Sequence, residues 1–68
     1  MITEIGIVAG EIWHYLDQHG EVTVATLIKG IDRQRDDVLF SLGWLAREGH
    51  VILQAVDGDF KISLRRNG

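Results

Sequence analysis

The stretch "LAREGHVILQAVDGDFKISL" (Leu45–Leu64) decides the fold. Two runs of strand character, about 50–56 and 59–65, flank Asp57-Gly58. A two-residue Asp-Gly loop favours a type I′ turn, whose twist matches that of the strands it joins. Such a turn pairs Ala55 with Phe60, Leu53 with Ile62 and Val51 with Leu64, and all six side chains then share one face. Gln54–Lys61 and Ile52–Ser63 fall on the other face. A slip of one residue would set Lys61 opposite Ala55 and break the apolar face, so turn chemistry and hydrophobic pattern specify the same register.

N-terminal to the hairpin, "DDVLFSLGWLAREGH" (Asp36–His50) has helical periodicity, predicting a helix over about 34–48 that Gly49 ends. Val38, Leu42, Leu45 and Ala46 form its core face. Further back, Ile5, Val8, Ala9, Ile12 and Leu16 recur at helical spacing and predict a first helix over about 4–19, with Gly20 as a left-handed stop. Thr23 is a candidate N-cap for a short second helix, 23–31, carrying Val24, Leu27, Ile28 and Ile31. Glu21 and Val22 suit a brief extended piece before it. Gly30 and Asp32 mark the following turn, with Asp32 or a neighbour opening the third helix. Gly6 and Gly10 lie four apart on the flank that carries Trp13. Each costs a helix interior about 1 kcal/mol relative to Ala, which suggests close packing there. Contact with another element of the same chain is the ordinary reading, and a partner helix the rarer one.

The 68 residues are read as one domain, 1–68, too small to carry a wide stability margin. There is no Cys, which excludes disulfides and thiolate metal sites. The net charge of −3 lacks the basic excess usual in nucleic-acid binders, although a local patch can act within an acidic domain. "MITEIGIVAG" (1–10) has no basic n-region and meets an acid at Glu4, so it is not read as a signal peptide. No uncharged run approaches the ~18 residues of a membrane span, and a soluble, cytoplasmic protein is expected. "RRNG" (65–68) reads as a frayed end.

Three helices followed by a β-hairpin, an α+β chain, resembles a winged helix-turn-helix domain. The helix pair 23–31 and 36–48 and the passage "LAREGHVIL" (Leu45–Leu53) into the wing carry the resemblance, which covers nearly the whole chain. "SLGWLAREGHV" (Ser41–Val51) more narrowly resembles a group of small, stand-alone winged-helix proteins of bacteria and archaea whose role is uncharacterised. The stretch from Gly30 to Val38 departs from the pattern, reading as about two residues longer than the usual helix-turn-helix connection. The resemblance implies that the third helix and wing would meet DNA, in a setting of transcriptional regulation.

The residues on that side are ill suited to DNA. On a helical wheel, Asp36, Asp37, Phe40, Gly43, Trp44 and Arg47 fall opposite the core face. Groove readers use Arg, Lys, Asn, Gln, Ser and Thr, with phosphate contacts around them. Asp57 and Asp59 occupy the wing tip, where a minor-groove contact calls for cations. Arg33, Arg35, Arg47, Lys61 and Arg65 are the candidates for nucleic-acid contact if they converge beside the third helix; otherwise they are a solvated surface.

The same residues suit a protein contact. Phe40 and Trp44 are an i, i+4 pair whose rings neighbour each other, and Gly43 beside them lets another backbone approach. Asp36 and Arg47 would form a charged rim. If the pair exposes about 300 Å² of apolar surface, burial returns roughly 7 kcal/mol gross, and about twice that in a symmetric dimer. Association costs about 4–15 kcal/mol, so a weak homodimer is allowed rather than compelled. Alternatively Trp44 folds over the hairpin or against Trp13 as part of the core. His14, His19 and His50 lack ligand spacing, "DGD" (57–59) lacks the further ligands of a calcium loop, and neither Ser41 nor Ser63 sits in a nucleophile motif. No phosphate loop is present. A non-enzymatic interaction module without cofactor, metal or small-molecule substrate is expected, with a small DNA-binding regulator as the alternative.

Overall fold

The computed structural model describes residues 2–66. The elements in chain order are α1 (Ile2–His19), β1 (Val22–Thr23), α2 (Val24–Ile31), α3 (Arg35–Arg47), β2 (Val51–Val56) and β3 (Asp59–Leu64). This is the α+β arrangement of three helices and a C-terminal hairpin wing. Asn67 and Gly68 of the expected frayed end lie outside the described residues. Arg66 is held, its Nη2 donating to Asp17 Oδ1 at 3.1 Å.

The hairpin has the register that its turn dictates. Asp57 (φ 37°) and Gly58 (φ 80°) both adopt positive φ, as a type I′ turn requires. Pairing runs from Val56↔Asp59 to Val51↔Leu64. The brief extended piece before α2 is a third strand, since Val22 pairs with Ile62 and Thr23 with Lys61. The sheet order β1-β3-β2 makes β3 the central strand.

The helix ends follow from local chemistry. Gly20 (φ 78°) closes α1, its N–H donating to the Leu16 carbonyl at 2.8 Å. Thr23 caps α2, its Oγ1 accepting from the Thr26 N–H at 3.2 Å. The C-terminus of α3 is a Schellman motif, in which the Gly49 N–H donates to Ala46 O and the His50 N–H to Leu45 O. That motif turns the chain straight into β2.

Two expectations for the α2–α3 connection are corrected. Gly30 lies within α2 rather than in a turn, and Asp32 ends α2 instead of opening α3. Asp32 takes the left-handed conformation (φ 55°) and its N–H donates to Ile28 O, while Gln34 is the N-cap of α3. The connection is therefore only residues 32–34, an ordinary helix-turn-helix length.

Val8, Ala9, Ile12 and Leu16 of α1, Val24 and Leu27 of α2, Val38, Leu42 and Leu45 of α3, and Val51 and Ile62 of the wing make up the core. Two close approaches set how the helices pack. A Cβ on Gly30 would collide with the Tyr15 ring, so this glycine brings α2 onto α1. Ser41, fully buried, brings α3 onto α1, its Oγ donating to the Ile5 carbonyl at 3.3 Å. Gly6 and Gly10, expected to mark intramolecular contact, have no atom within 4 Å of an added Cβ. α2 and α3 take the other flanks of α1 and leave this one to solvent.

Arg33, in the α2–α3 connection, reaches back to α1. Its Nε and Nη2 donate to the two carboxylate oxygens of Glu11, both at 2.7 Å. These hydrogen bonds hold the Glu11 carboxyl below the usual carboxylate range, against a smaller opposing effect of desolvation. They also raise the Arg33 pKa, with Asp37 and Glu4 adding at longer range.

Gly10→Ala should raise stability by about 1 kcal/mol, because its site is open helix interior. For a domain of this size that is an increase in Tm of about 4–8 °C. Gly30→Ala should show no such gain, since the new methyl must displace the Tyr15 ring. Equal rises in the two melts would disprove the close approach at Gly30. A second test concerns acid. Because folding depresses the Glu11 pKa, the pair's contribution is in place above the unfolded-state pKa and is lost as pH falls through the lower folded value. Between about pH 5 and about pH 3, the urea midpoint of the wild type should fall further than that of Glu11→Gln. Parallel declines would mean that this half-exposed pair contributes nothing measurable.

Candidate interaction face

The outer side of α3 is apolar and uncovered. Phe40 is 54% exposed and Trp44 46%, so neither has folded into the core. The Trp44 ring neighbours that of His50, with centroids 6.3 Å apart, just before β2. Gly43 faces open space, with nothing within 4 Å of an added Cβ. These positions follow from the wheel, because Val38, Leu42 and Leu45 bury the opposite side of the helix.

The wing extends this face. Only the base of its apolar side reaches the core, through Val51 and Ile62, with Leu64 partly buried against it. Nearer the turn, Leu53 (39%) and Phe60 (47%) stand exposed on the same side. Together with Val24, Leu39, Leu42 and Gly43 they line a groove of about 140 Å³ between α3 and the wing. The groove and the Phe40–Trp44 ridge adjoin at Gly43, which lines the groove and lies three residues from Phe40 on the helix surface.

Leu39, Leu53 and Phe60 are not among the site residues read from sequence. Leu39 lies between the core face and the outer face of the wheel, and the wing pairs read as core because they share a face with Ile62. A usable signal existed in strand length. Apolar residues continue along the shared wing face from Val51 to Ala55, and the core face of α3 has too few positions to cover all of them.

The candidate basic residues do not gather beside α3. Arg33 is held by Glu11, and Lys61 Nζ lies 3.8 Å from Glu21 Oε1, beside β1. Arg35 and Arg47 stand at opposite ends of α3, and Arg65 follows β3. None of these last three enters an ion pair among the described residues. The acids stay at the margins. Asp36 is exposed in the first turn of α3, Asp37 is half-buried toward Arg33, and Asp57 is exposed at the wing tip. Asp59 turns its carboxylate back to accept from the Phe60 N–H at 2.7 Å.

The histidines lie against aromatic neighbours: His14 edge-on to Trp13, His19 tilted on Tyr15 at 4.2 Å, and His50 beside Trp44. Among the described residues no group of three His, Cys, Asp or Glu could hold a metal ion. A second, wider hollow between α1 and α2 is lined by Glu11, His14, Tyr15, Gln18 and Ile31, but its carboxylate is already engaged by Arg33. No helix of the described residues is long and apolar enough to cross a membrane.

Comparison with known proteins agrees with this architecture. The solution NMR structure of protein BT2368 from Bacteroides thetaiotaomicron is similar, with a TM-score of 0.80 and 26% sequence identity, over 91% of this chain and 76% of that one. No curated protein matches the sequence. A model of the winged helix-turn-helix domain family DUF2582 matches residues 1–64. With three helices, a three-stranded sheet and that match over nearly its whole length, the chain belongs to the DUF2582 family of winged helix-turn-helix domains.

Proposed function

We propose that this chain is a non-enzymatic, regulatory winged-helix module of the cytoplasm that gives the outer face of α3 to protein contact, most simply to a second copy of itself. The observation that carries this reading is the exposed apolar face, Phe40 and Trp44 beside Leu39, Leu53 and Phe60, where a DNA-binding winged helix presents hydrogen-bonding and cationic side chains. Interface centres favour large aromatics fully desolvated within a polar rim, and Asp36 and Arg47 supply such a rim. Gly43 leaves bare backbone between them for close approach. Three further large apolar side chains enlarge the gross gain estimated for Phe40 and Trp44 alone, which shifts the balance toward association.

Replacing Phe40 and Trp44 together by Ser should leave the circular dichroism unchanged and cost no more than about 3 kcal/mol, because each ring keeps about half of its surface in water. In sedimentation equilibrium from micromolar to near-millimolar protein, the wild type should approach dimer mass while the variant stays monomeric. A wild type that remains monomeric throughout would remove the self-contact. A variant that unfolds would return the two aromatics to the core.

A small DNA-binding regulator is the second reading, and the family's fold favours it. Arg35, Arg47 and Arg65, without ion-pair partners among the described residues, are the side chains it would use. It requires binding to duplex DNA that weakens steeply with salt, at a slope near −0.9 per phosphate neutralised. Absence of duplex binding at about 50 mM salt excludes it.

A further inference from the structure

We infer that two copies of this chain pair through α3 in antiparallel register, about a two-fold axis level with the midpoint between Ser41 and Leu42, each Asp36 lying against the partner subunit's Arg47. The inference rests on reading the outer face of α3 as a self-contact. It adds the geometry of that contact and the charge pairs that select a second copy over an unrelated partner.

Four residues run along the outer line of α3. Asp36, Phe40, Gly43 and Arg47 follow one another at spacings of four, three and four positions, so each lies about one turn from the next. All four are exposed. The spacing reads the same in both directions, and its midpoint falls between Ser41 and Leu42. A two-fold contact must be complementary to itself, and this stripe is. Reversing one helix over the other about that midpoint sets Asp36 opposite the partner subunit's Arg47. It also brings Phe40 level with the partner subunit's Gly43. The two Phe40 positions then stand about 4.5 Å apart along the helices, close enough for their rings to pack. Trp44, one turn beyond Phe40 on the same flank, closes each end of the ring pair. Nothing lies within 4 Å of a Cβ added to Gly43, so the two backbones can draw together there.

The charges decide the direction. Asp36 sits in the first turn of α3 and Arg47 in the last, about 16 Å apart along the axis, too far to pair within one chain. Neither enters an ion pair among the described residues. Packed parallel, two copies would set Asp36 on Asp36 and Arg47 on Arg47. Packed antiparallel, they form two ion pairs across the contact. Such charges contribute orientation and register more than affinity. Phe40 (54% exposed) and Trp44 (46%) together leave about one whole aromatic side chain in water, so two copies cover about 400 Å² of ring surface. With the stems of Arg47 alongside, that makes an interface at the small end of specific contacts. It suits a dimer that forms as concentration rises.

The test is sedimentation equilibrium of the full chain, from micromolar to near-millimolar protein in about 50 mM salt, with circular dichroism to show that each variant is folded. Asp36→Arg and Arg47→Asp each turn both ion pairs into like-charge pairs, and each should weaken the dimer about tenfold. Asp36→Arg brings the net charge of −3 closer to zero, so general repulsion alone would give the opposite result. The exchanged variant Asp36→Arg/Arg47→Asp keeps the original net charge, restores both pairs and should dimerise within about threefold of the wild type. A more stable monomer cannot explain that restoration, because the exchange sets both charges against the helix dipole. Gly43→Gln, a better helix former at an open position, should raise monomer stability yet weaken the dimer about tenfold. A wild type that stays monomeric throughout overturns this inference together with the self-contact on which it rests. A wild type that dimerises, loses the dimer in Phe40→Ser/Trp44→Ser and is indifferent to both charge reversals overturns the antiparallel register alone. So does an exchanged variant that stays as weak as the single ones.

Discussion

Ile62 is where the separate parts of this fold are joined. It is fully buried in the central strand, opposite Leu53 on one side and Val22 on the other. A two-residue turn four positions away fixes its register, so the choice of Asp57-Gly58 decides which wing residue enters the helical core. A slip by one position would offer that core Lys61 or Ser63. Nearer the turn than Ile62, the wing and α3 no longer close on each other, and a groove opens between them. The exposed Leu53 and Phe60 follow from the same registration that buries Ile62.

The helices are packed by two small residues placed where bulk is forbidden. Gly30 lets α2 lie on Tyr15, and Ser41 lets α3 lie on the Ile5 turn of α1 while its hydroxyl finds a carbonyl. These approaches commit two flanks of α1 and one face of α3. The remaining surfaces, the Gly6–Gly10 flank and the Phe40–Trp44 ridge, are leftovers of that packing, yet both carry exposed tryptophan. A domain of this size has too few core positions for its large apolar side chains, so some of them must stand outside. Scattered singly they would mean little. Leu39, Leu53 and Phe60 are instead gathered around one groove, with Phe40 and Trp44 on the adjoining side of α3.

Sequence carried the fold further than the site. The hairpin register, the Gly20 and Gly49 stops and the Thr23 cap each rest on chemistry within a few residues, and the structure agrees with each. The exposure of Phe40 and Trp44 could be read from one helical wheel. Readings that depended on distant partners fared worse. Gly30 pointed to a turn because nothing nearby in sequence announces Tyr15 above it. Gly6 and Gly10 pointed to contact because a helix interior rarely spends glycine without one. Asp32 pointed to the start of a helix because Asp is a common N-cap, whereas its tolerance of the left-handed region is what the chain uses. The groove was hidden for the same reason, since Leu39 and Phe60 meet only in three dimensions.

The pattern of charges bears directly on the familiar use of this fold. A winged helix meets DNA with α3 and the wing tip together, so both must present cations near phosphate. In this chain Arg33 is drawn back to Glu11 of α1, and Lys61 lies beside Glu21, in the loop that precedes β1. Those ion pairs add little stability at the surface, but they fix where the positive charge is. What they leave on the α3–wing face is apolar at the centre, with acids (Asp36, Asp57) and arginines (Arg35, Arg47) at its margins. Burial of the aromatic rings is the physical gain that the protein-contact proposal draws on. Duplex DNA and a protein partner would cover the same residues of α3 and the wing, so the two proposed uses of this face exclude each other.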